Sequence, residues 1–306
     1  MTVESVDSVD SGGPDAGGVP VGGGRTDGPE SGLTPDDKGF AGSIWMDMLA
    51  LIGVFLVANL LGSFLNLLLS RGADADPEFG MFVSYVTAFG ITIGFAIWQR
   101  IRRGSTKPLL RAGISKAHPL LILWGVVLVI VTSVVLEPLL NLFPAEYIET
   151  LQRAIGSGGW AIMTSIVAAP ILEEVLFRGI VQESLTEKLG GWRGVVAASA
   201  IFGIIHIIPQ QVINAFFIAL ILGFIYIKTR SVVPVILIHA INNAIAFIQM
   251  VVFGDEGMMT TRQMINNDVL YWVVYGAFCV VFVIALVNLW SQLKRVPAGR
   301  ATARRA

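Results

Sequence analysis

From residue 43 onward, the chain consists of apolar runs whose lengths lie near the roughly 20 residues that a helix needs to cross a bilayer. Eight such runs can be counted, at about 43–70, 80–98, 119–142, 158–183, 194–208, 211–227, 232–253 and 269–292. The fifth, sixth and seventh are short, and the near absence of a loop between the fifth and the sixth favours a tight helical hairpin. This pattern predicts an all-α fold, a polytopic membrane helix bundle of about eight transmembrane helices.

Composition agrees with a membrane protein and excludes several other classes. Of the 306 residues, 54% are hydrophobic and 14% are charged, whereas soluble proteins have roughly 25% charged residues. The single cysteine, Cys279, excludes an internal disulfide framework and an all-cysteine zinc site. The net charge of −1 excludes a globally basic nucleic-acid-binding protein, so we expect no nucleic-acid partner.

Glycine content and charge predict four parts. Residues 1–42 are acidic and Gly-rich and contain no long apolar run, so we expect a disordered tail. Residues 43–157 hold the first three spans. Residues 158–253 hold spans four to seven and the candidate catalytic core, and residues 254–306 hold the last span and a basic tail.

The basic residues of the loops predict the orientation of the bundle. The loop after the second span carries six lysines and arginines and no acid between Arg100 and Lys116, so it should be cytoplasmic. An even number of spans then places both termini in the cytoplasm. We expect an integral protein of the plasma membrane; the sequence does not indicate its oligomeric state.

Ionisable residues inside membrane spans are costly, so each is a candidate functional residue. The fourth span contains Glu173, Glu174 and Arg178. Glu174 and Arg178 are four residues apart, share a helix face and should form an ion pair. Glu173 is rotated by about 100° from Glu174, which leaves it as the carboxylate free for chemistry. In the third span, Glu137 beside Pro138 suits either a cavity lining or a kink with a locally paired carboxylate.

Two histidines and an asparagine lie in neighbouring spans. Phe202 and His206 are four residues apart in the fifth span, as are His239 and Asn243 in the seventh. Counted from the predicted cytoplasmic span ends, Glu173, His206 and His239 lie between about 11 and 18 Å deep. Such a set suits hydrolysis. Glu173 can take a proton from water, while His206 orients that water or protonates the leaving amine. His239 and Asn243 can donate to an oxyanion.

In this order, the three motifs resemble those of the CAAX-processing and bacteriocin-processing family of intramembrane proteases. They are EExxxR at 173–178, FxxxH at 202–206 and HxxxN at 239–243. The family includes the type II CAAX prenyl endopeptidases and abortive-infection-like proteins, and the match covers about residues 158–250. The resemblance implies an eight-helix fold with an intramembrane cavity open to the cytoplasm, and a glutamate-activated water that attacks a peptide bond.

The resemblance also implies a role for each motif residue. Glu173 is the base, and His206 lies beside the water. His239 and Asn243 stabilise the oxyanion, with Asn242 as a second candidate for the amide. Glu174, Arg178 and Phe202 support the site. The expected substrate is a peptide or protein: a prenylated C-terminus, a bacteriocin leader and a membrane-protein segment all suit a cavity with apolar walls.

Three alternatives stay open at this point. A zinc-dependent metalloprotease would use Glu173, His206 and His239 as ligands, because two histidines and a glutamate form one common catalytic zinc set; the HExxH spacing is absent, however. A noncatalytic immunity factor or scaffold would keep the fold without the reaction. A proton-coupled transporter also uses intramembrane glutamate and histidine, although the sequence has no internal repeat of the kind that many transporters show.

Overall fold

The computed structural model describes residues 35–71, 76–102, 111–113, 117–144, 146–147, 155–253 and 260–296, with the backbone alone for residues 35–45. Most of the predicted N-terminal tail, most of the basic loop after the second span and the end of the C-terminal tail lie outside these residues. Two compact units divide the chain, Met1–Phe40 and Ala41–Ala306. The candidate site lies within the second unit.

The described residues form helices and no strand. The helices are α1 (Pro35–Leu69), α2 (Pro77–Arg102), α3 (Pro119–Leu140), α4 (Gly159–Leu189), α5 (Gly191–Ile204), α6 (Pro209–Thr229), α7 (Val232–Phe253), α8 (Thr261–Ile265) and α9 (Asp268–Arg295). Within the described part of the chain, seven are long and apolar enough to cross a membrane, with α1 counted from Met46. The predicted all-α membrane bundle is confirmed, and the chain is an integral membrane protein.

Proline starts several of these helices, and buried apolar residues pack them together. Pro77, Pro119 and Pro209 lie at helix starts, where a missing N–H costs no hydrogen bond. One buried cluster joins α3, α6, α7 and α9, and a second joins α1, α2, α4, α5 and α6. Large apolar side chains such as Leu60 and Val273 remain exposed on the outer faces, as lipid contact allows.

The predicted hairpin is formed by α5 and α6. The chain reverses between them at residues 205–208, where Ile207 has a left-handed φ of 64°. Gly203 lies so close to α6 that a Cβ would come within 2.8 Å of the Val212 carbonyl oxygen. Nε2 of Gln210 donates to the carbonyl of Pro144, just beyond the end of α3, at 2.6 Å. Because the hairpin reaches the level at which α3 ends, the 14-residue helix α5 is supported as an eighth crossing.

Helix α4 is irregular on both sides of the two glutamates. The π-helical segments Met163–Ala168 and Val175–Gln182 flank the α-helical segment Ala169–Glu174. Pro170 contributes to this irregularity, because a proline inside a helix removes a backbone donor. π-Helical turns are rare and are frequent at functional sites.

Candidate active site

Glu174 and Arg178 form the ion pair that their spacing predicts. Nε of Arg178 lies 3.0 Å from Oε2 of Glu174, and the two side chains are 2% and 0% exposed. The guanidinium also lies over the ring of Phe202, 4.9 Å from its centroid, and Nη2 donates to the carbonyl of Ala219 on α6 at 3.4 Å. A buried cation needs such compensation, and here α4, α5 and α6 all contribute to it.

His239 lies between the two glutamates. Its Nδ1 donates to Oε1 of Glu174 at 2.8 Å, and its Nε2 lies 3.8 Å from Oε2 of Glu173. Because a carboxylate only accepts, the proton of this hydrogen bond belongs to Nδ1, and in the neutral ring Nε2 is then an acceptor. The contact between Glu174 and His239 was not predicted from the motifs.

Glu173 has a second partner that the sequence did not indicate. The hydroxyl of Tyr85, on α2, donates to Oε1 of Glu173. Tyr85 stacks on Phe89 with ring centroids 4.7 Å apart, and Phe89 meets Phe55 of α1 at 5.4 Å. The only signal in the sequence was a phenol within the second apolar run, which belongs to none of the three motifs.

Asn243 ties α7 to the irregular part of α4. Its Nδ2 donates to the carbonyl of Ser165 at 2.9 Å, and its Oδ1 accepts from Nδ2 of Asn242 at 3.3 Å. The π-helical pattern would pair that carbonyl with residue 170, but Pro170 has no N–H. The N–H of Ala169 is donated to the carbonyl before Ser165. Asn243 therefore replaces a donor that the helix lacks, and Asn242 supports Asn243.

His206 lies at the edge of the site and not beside the base. Its Nδ1 donates to the carbonyl of Phe202 at 2.8 Å, and the two rings have centroids 5.0 Å apart. The ring of Phe202 also lies 6.3 Å from that of His239. Among the described residues, no hydrogen bond or ion pair joins His206 to Glu173. Phe202 thus separates His206 from the glutamates while contacting both histidines.

Glu137 is not part of this cluster. Its Oε1 accepts from the backbone N–H of Arg262, in α8, at 3.1 Å. The side chain is only 8% exposed. Of the two options that the sequence left for Glu137, the locally paired carboxylate is the one found.

The residues proposed as zinc ligands do not fit a metal ion. Across the described part of the chain, no three histidine, cysteine, aspartate or glutamate side chains converge closely enough to hold one. Within the proposed set, His239 faces Glu173, but His206 is turned to the Phe202 carbonyl. The metalloprotease alternative is therefore not supported, and no reaction step is assigned to a metal.

Comparison with known families agrees with this cluster. Residues 156–245 match the model of the family described as Type II CAAX prenyl endopeptidase Rce1-like. The predicted family resemblance is confirmed. The Rce1-like segment begins just before α4, ends within α7 and contains all three motifs, and the description names an endopeptidase. Helices α1 to α3 and α9 lie outside it. Comparisons with curated proteins and with solved structures gave no match.

Proposed function

We propose that the chain is an intramembrane endopeptidase in which Glu173 activates a water molecule for attack on a peptide bond. The observation that carries the proposal is the separation of 3.8 Å between Oε2 of Glu173 and Nε2 of His239. Both atoms are acceptors when the ring is neutral, so each can take one hydrogen of a single water. The lone pairs of that water are then free to attack a carbonyl carbon.

The reaction can be written with Glu173 as the only group that changes its proton count. The water oxygen bonds to the carbonyl carbon, and Glu173 accepts one water proton. The C–N bond of the tetrahedral intermediate then breaks, and Glu173 returns the proton to the leaving amine. The products are a carboxylic acid and an amine, and Glu173 is again a carboxylate.

The oxyanion of the intermediate needs hydrogen-bond donors. Asn243 has a second Nδ2 hydrogen beyond the one given to Ser165, and His239 has a donor at Nε2 when its ring is protonated. Glu174 supports His239 in either state, because it accepts from Nδ1. We assign His206 to the substrate side of the site, where its Nε2 can protonate or orient the leaving amine.

The first candidate substrate is a peptide or protein with a lipidated C-terminus. The family description names CAAX prenyl peptides, and the surroundings of the two glutamates are aromatic and apolar, with Phe177 and Phe202 in edge contact at 4.9 Å. Bacteriocin-like peptides and membrane-protein segments are the alternatives. Entry from the cytoplasmic side of the membrane is part of the proposal.

The test uses the full-length chain in phospholipid vesicles with an internally quenched peptide whose CAAX cysteine is S-farnesylated. We expect cleavage, followed by fluorescence and by the masses of the two fragments, and a loss of about 100-fold or more in Glu173→Gln. Glu187→Gln is the matched control, because Glu187 lies on the same helix at an exposed position. A Glu173→Gln variant that cleaves as fast as the unmodified chain would refute the mechanism.

A second arm separates the substrate from the mechanism. The same peptide without its farnesyl group should be cleaved more slowly if the lipid contributes to binding. If neither peptide is cleaved, the CAAX substrate is wrong. Membrane fractions of cells with and without the protein are then compared for a truncated partner.

A further inference from the structure

Glu173 is held from α2 as well as from α7, and α2 lies outside the Rce1-like segment. Tyr85 donates to Oε1, while His239 faces Oε2. The two carboxylate oxygens therefore have different neighbours, a phenol on one and an imidazole on the other. With Oε1 fixed by a donor, Oε2 is the oxygen that is free to accept from a water molecule.

The position of α2 against α4 is fixed two turns away by Glu78. Its carboxylate accepts from the backbone N–H groups of Ser157, Gly158 and Ala161 at 3.0, 2.8 and 3.2 Å. A Cβ at Gly158 would lie 2.5 Å from Oε2 of Glu78, so glycine permits this close approach. Glu78 and Tyr85 are seven residues apart, which places them on one face of the helix. The start of α4 thereby sets the depth at which Tyr85 meets Glu173.

The ring of Tyr85 is held independently of its hydroxyl. It stacks on Phe89 at an interplanar angle of 25°, and Phe89 is held in turn by Phe55. A change of Tyr85 to phenylalanine keeps these ring contacts and removes only the O–H donor. The phenol group can therefore be tested without opening a cavity.

We propose that Tyr85 is a positioning residue for the base: its hydroxyl holds Oε1 of Glu173 so that Oε2 is presented to His239 and to the water between them. The inference rests on the proposed function, because it assigns a partner to the base named there. Tyr85 keeps its proton throughout the reaction, since the water proton is taken by Oε2. The site then extends beyond residues 156–245 into the second helix of the chain.

The kinetic test compares Tyr85→Phe with Tyr226→Phe in vesicles, on the S-farnesylated CAAX peptide. Tyr226 is a matched control, because its hydroxyl also donates to a carboxylate, Glu183, at 2.8 Å. Glu183 keeps Arg230 at 3.1 Å when that bond is lost. We expect Tyr85→Phe to lower kcat about 10-fold with KM within about twofold, the scale of one hydrogen bond to a charged group. Tyr226→Phe should retain both constants.

An infrared measurement tests the same contact without a substrate. Subtracting the spectrum of Glu173→Gln from that of the unmodified chain isolates the carboxylate bands of Glu173. Repeating the subtraction in the Tyr85→Phe background should give shifted bands, because an oxygen that loses a donor changes its C–O bond. The Tyr226→Phe background should leave the bands in place.

The outcomes separate this inference from the proposed function. Unshifted Glu173 bands, or an unchanged kcat in Tyr85→Phe beside an inactive Glu173→Gln, overturn the role of Tyr85 and leave the proposed function standing. A fully active Glu173→Gln overturns the proposed mechanism instead. If the peptide is not cleaved at all, its choice as substrate is wrong and the infrared shift alone decides on Tyr85.

Discussion

Nδ1 of His239 lies 2.8 Å from Oε1 of Glu174, so the second glutamate of the pair holds the histidine that faces the first. Consecutive residues of a helix point about 100° apart, and α4 uses that angle to give the two carboxylates different surroundings. Glu174 is fully buried between Arg178 and His239. Glu173 faces His239 and the phenol of Tyr85.

The two glutamates should therefore respond differently to the same substitution. We expect Glu174→Gln to lower the thermal unfolding midpoint in detergent, because it leaves Arg178, 2% exposed, without its anion, and breaking a buried pair costs about 3–5 kcal/mol. Glu173→Gln should unfold near the midpoint of the unmodified chain, since the amide oxygen still accepts from Tyr85. Fluorescence-monitored thermal unfolding measures both, and equal losses would contradict the division of roles.

A charge-removing double variant checks the cause of the Glu174 effect. Arg178→Met in the Glu174→Gln background removes the stranded cation and should recover part of the lost stability, because replacing both members of a buried pair is far less costly than removing one. No recovery would mean that the contact of Glu174 with His239, and not the ion pair, dominates.

Asn243 and Pro170 should be energetically coupled. Asn243→Leu leaves the carbonyl of Ser165 without its donor, and an unsatisfied buried polar group costs about 1–3 kcal/mol. In a Pro170→Ala background, residue 170 regains an N–H that can reach the same carbonyl, so Asn243→Leu should cost less there. Thermal unfolding of the four chains forms a double-mutant cycle. Equal effects of Asn243→Leu in both backgrounds would show that Pro170 does not create the need for Asn243.

The features predicted correctly from the sequence are local ones. Apolar length gives the bundle, and a four-residue spacing gives the Glu174–Arg178 pair, because both depend only on neighbours along one helix. The Tyr85 contact joins residues 88 positions apart and depends on how α2 docks against α4. The position of His206 follows from the turn that ends α5, which depth counting along an ideal helix does not capture.

Zinc content offers a separate check on the mechanism. Because Glu173, His206 and His239 do not converge, we expect the purified protein to contain much less than one zinc per chain and to keep its activity after dialysis against a chelator. Elemental analysis and the peptide assay measure the two quantities. Stoichiometric zinc that is lost and restored together with activity would return the metalloprotease mechanism.

The basic residues predict which side of the membrane each loop faces. A reporter fused after residue 108 should be cytoplasmic, and one fused at about residue 258 should be external, because lysine and arginine concentrate in cytoplasmic loops. Both positions lie outside the described residues. The opposite pair of results would invert the orientation and open the proposed cavity to the outside.

Whether α5 crosses the membrane can be tested with single cysteines, because Cys279 is the only one in the chain. In a Cys279→Ser background, Trp192→Cys lies at the start of α5 and Ile207→Cys lies in the turn before α6; these side chains are 69% and 85% exposed. Cysteine also tolerates the left-handed φ at position 207 better than a β-branched residue does. A membrane-impermeant maleimide should label position 207 from outside intact cells and position 192 only after the cells are opened. This expectation follows from the bond between Gln210 and Pro144, which places the turn at the level where α3 ends. If both positions are labelled from the same side, α5 and α6 form a re-entrant hairpin, and the even number of crossings is wrong.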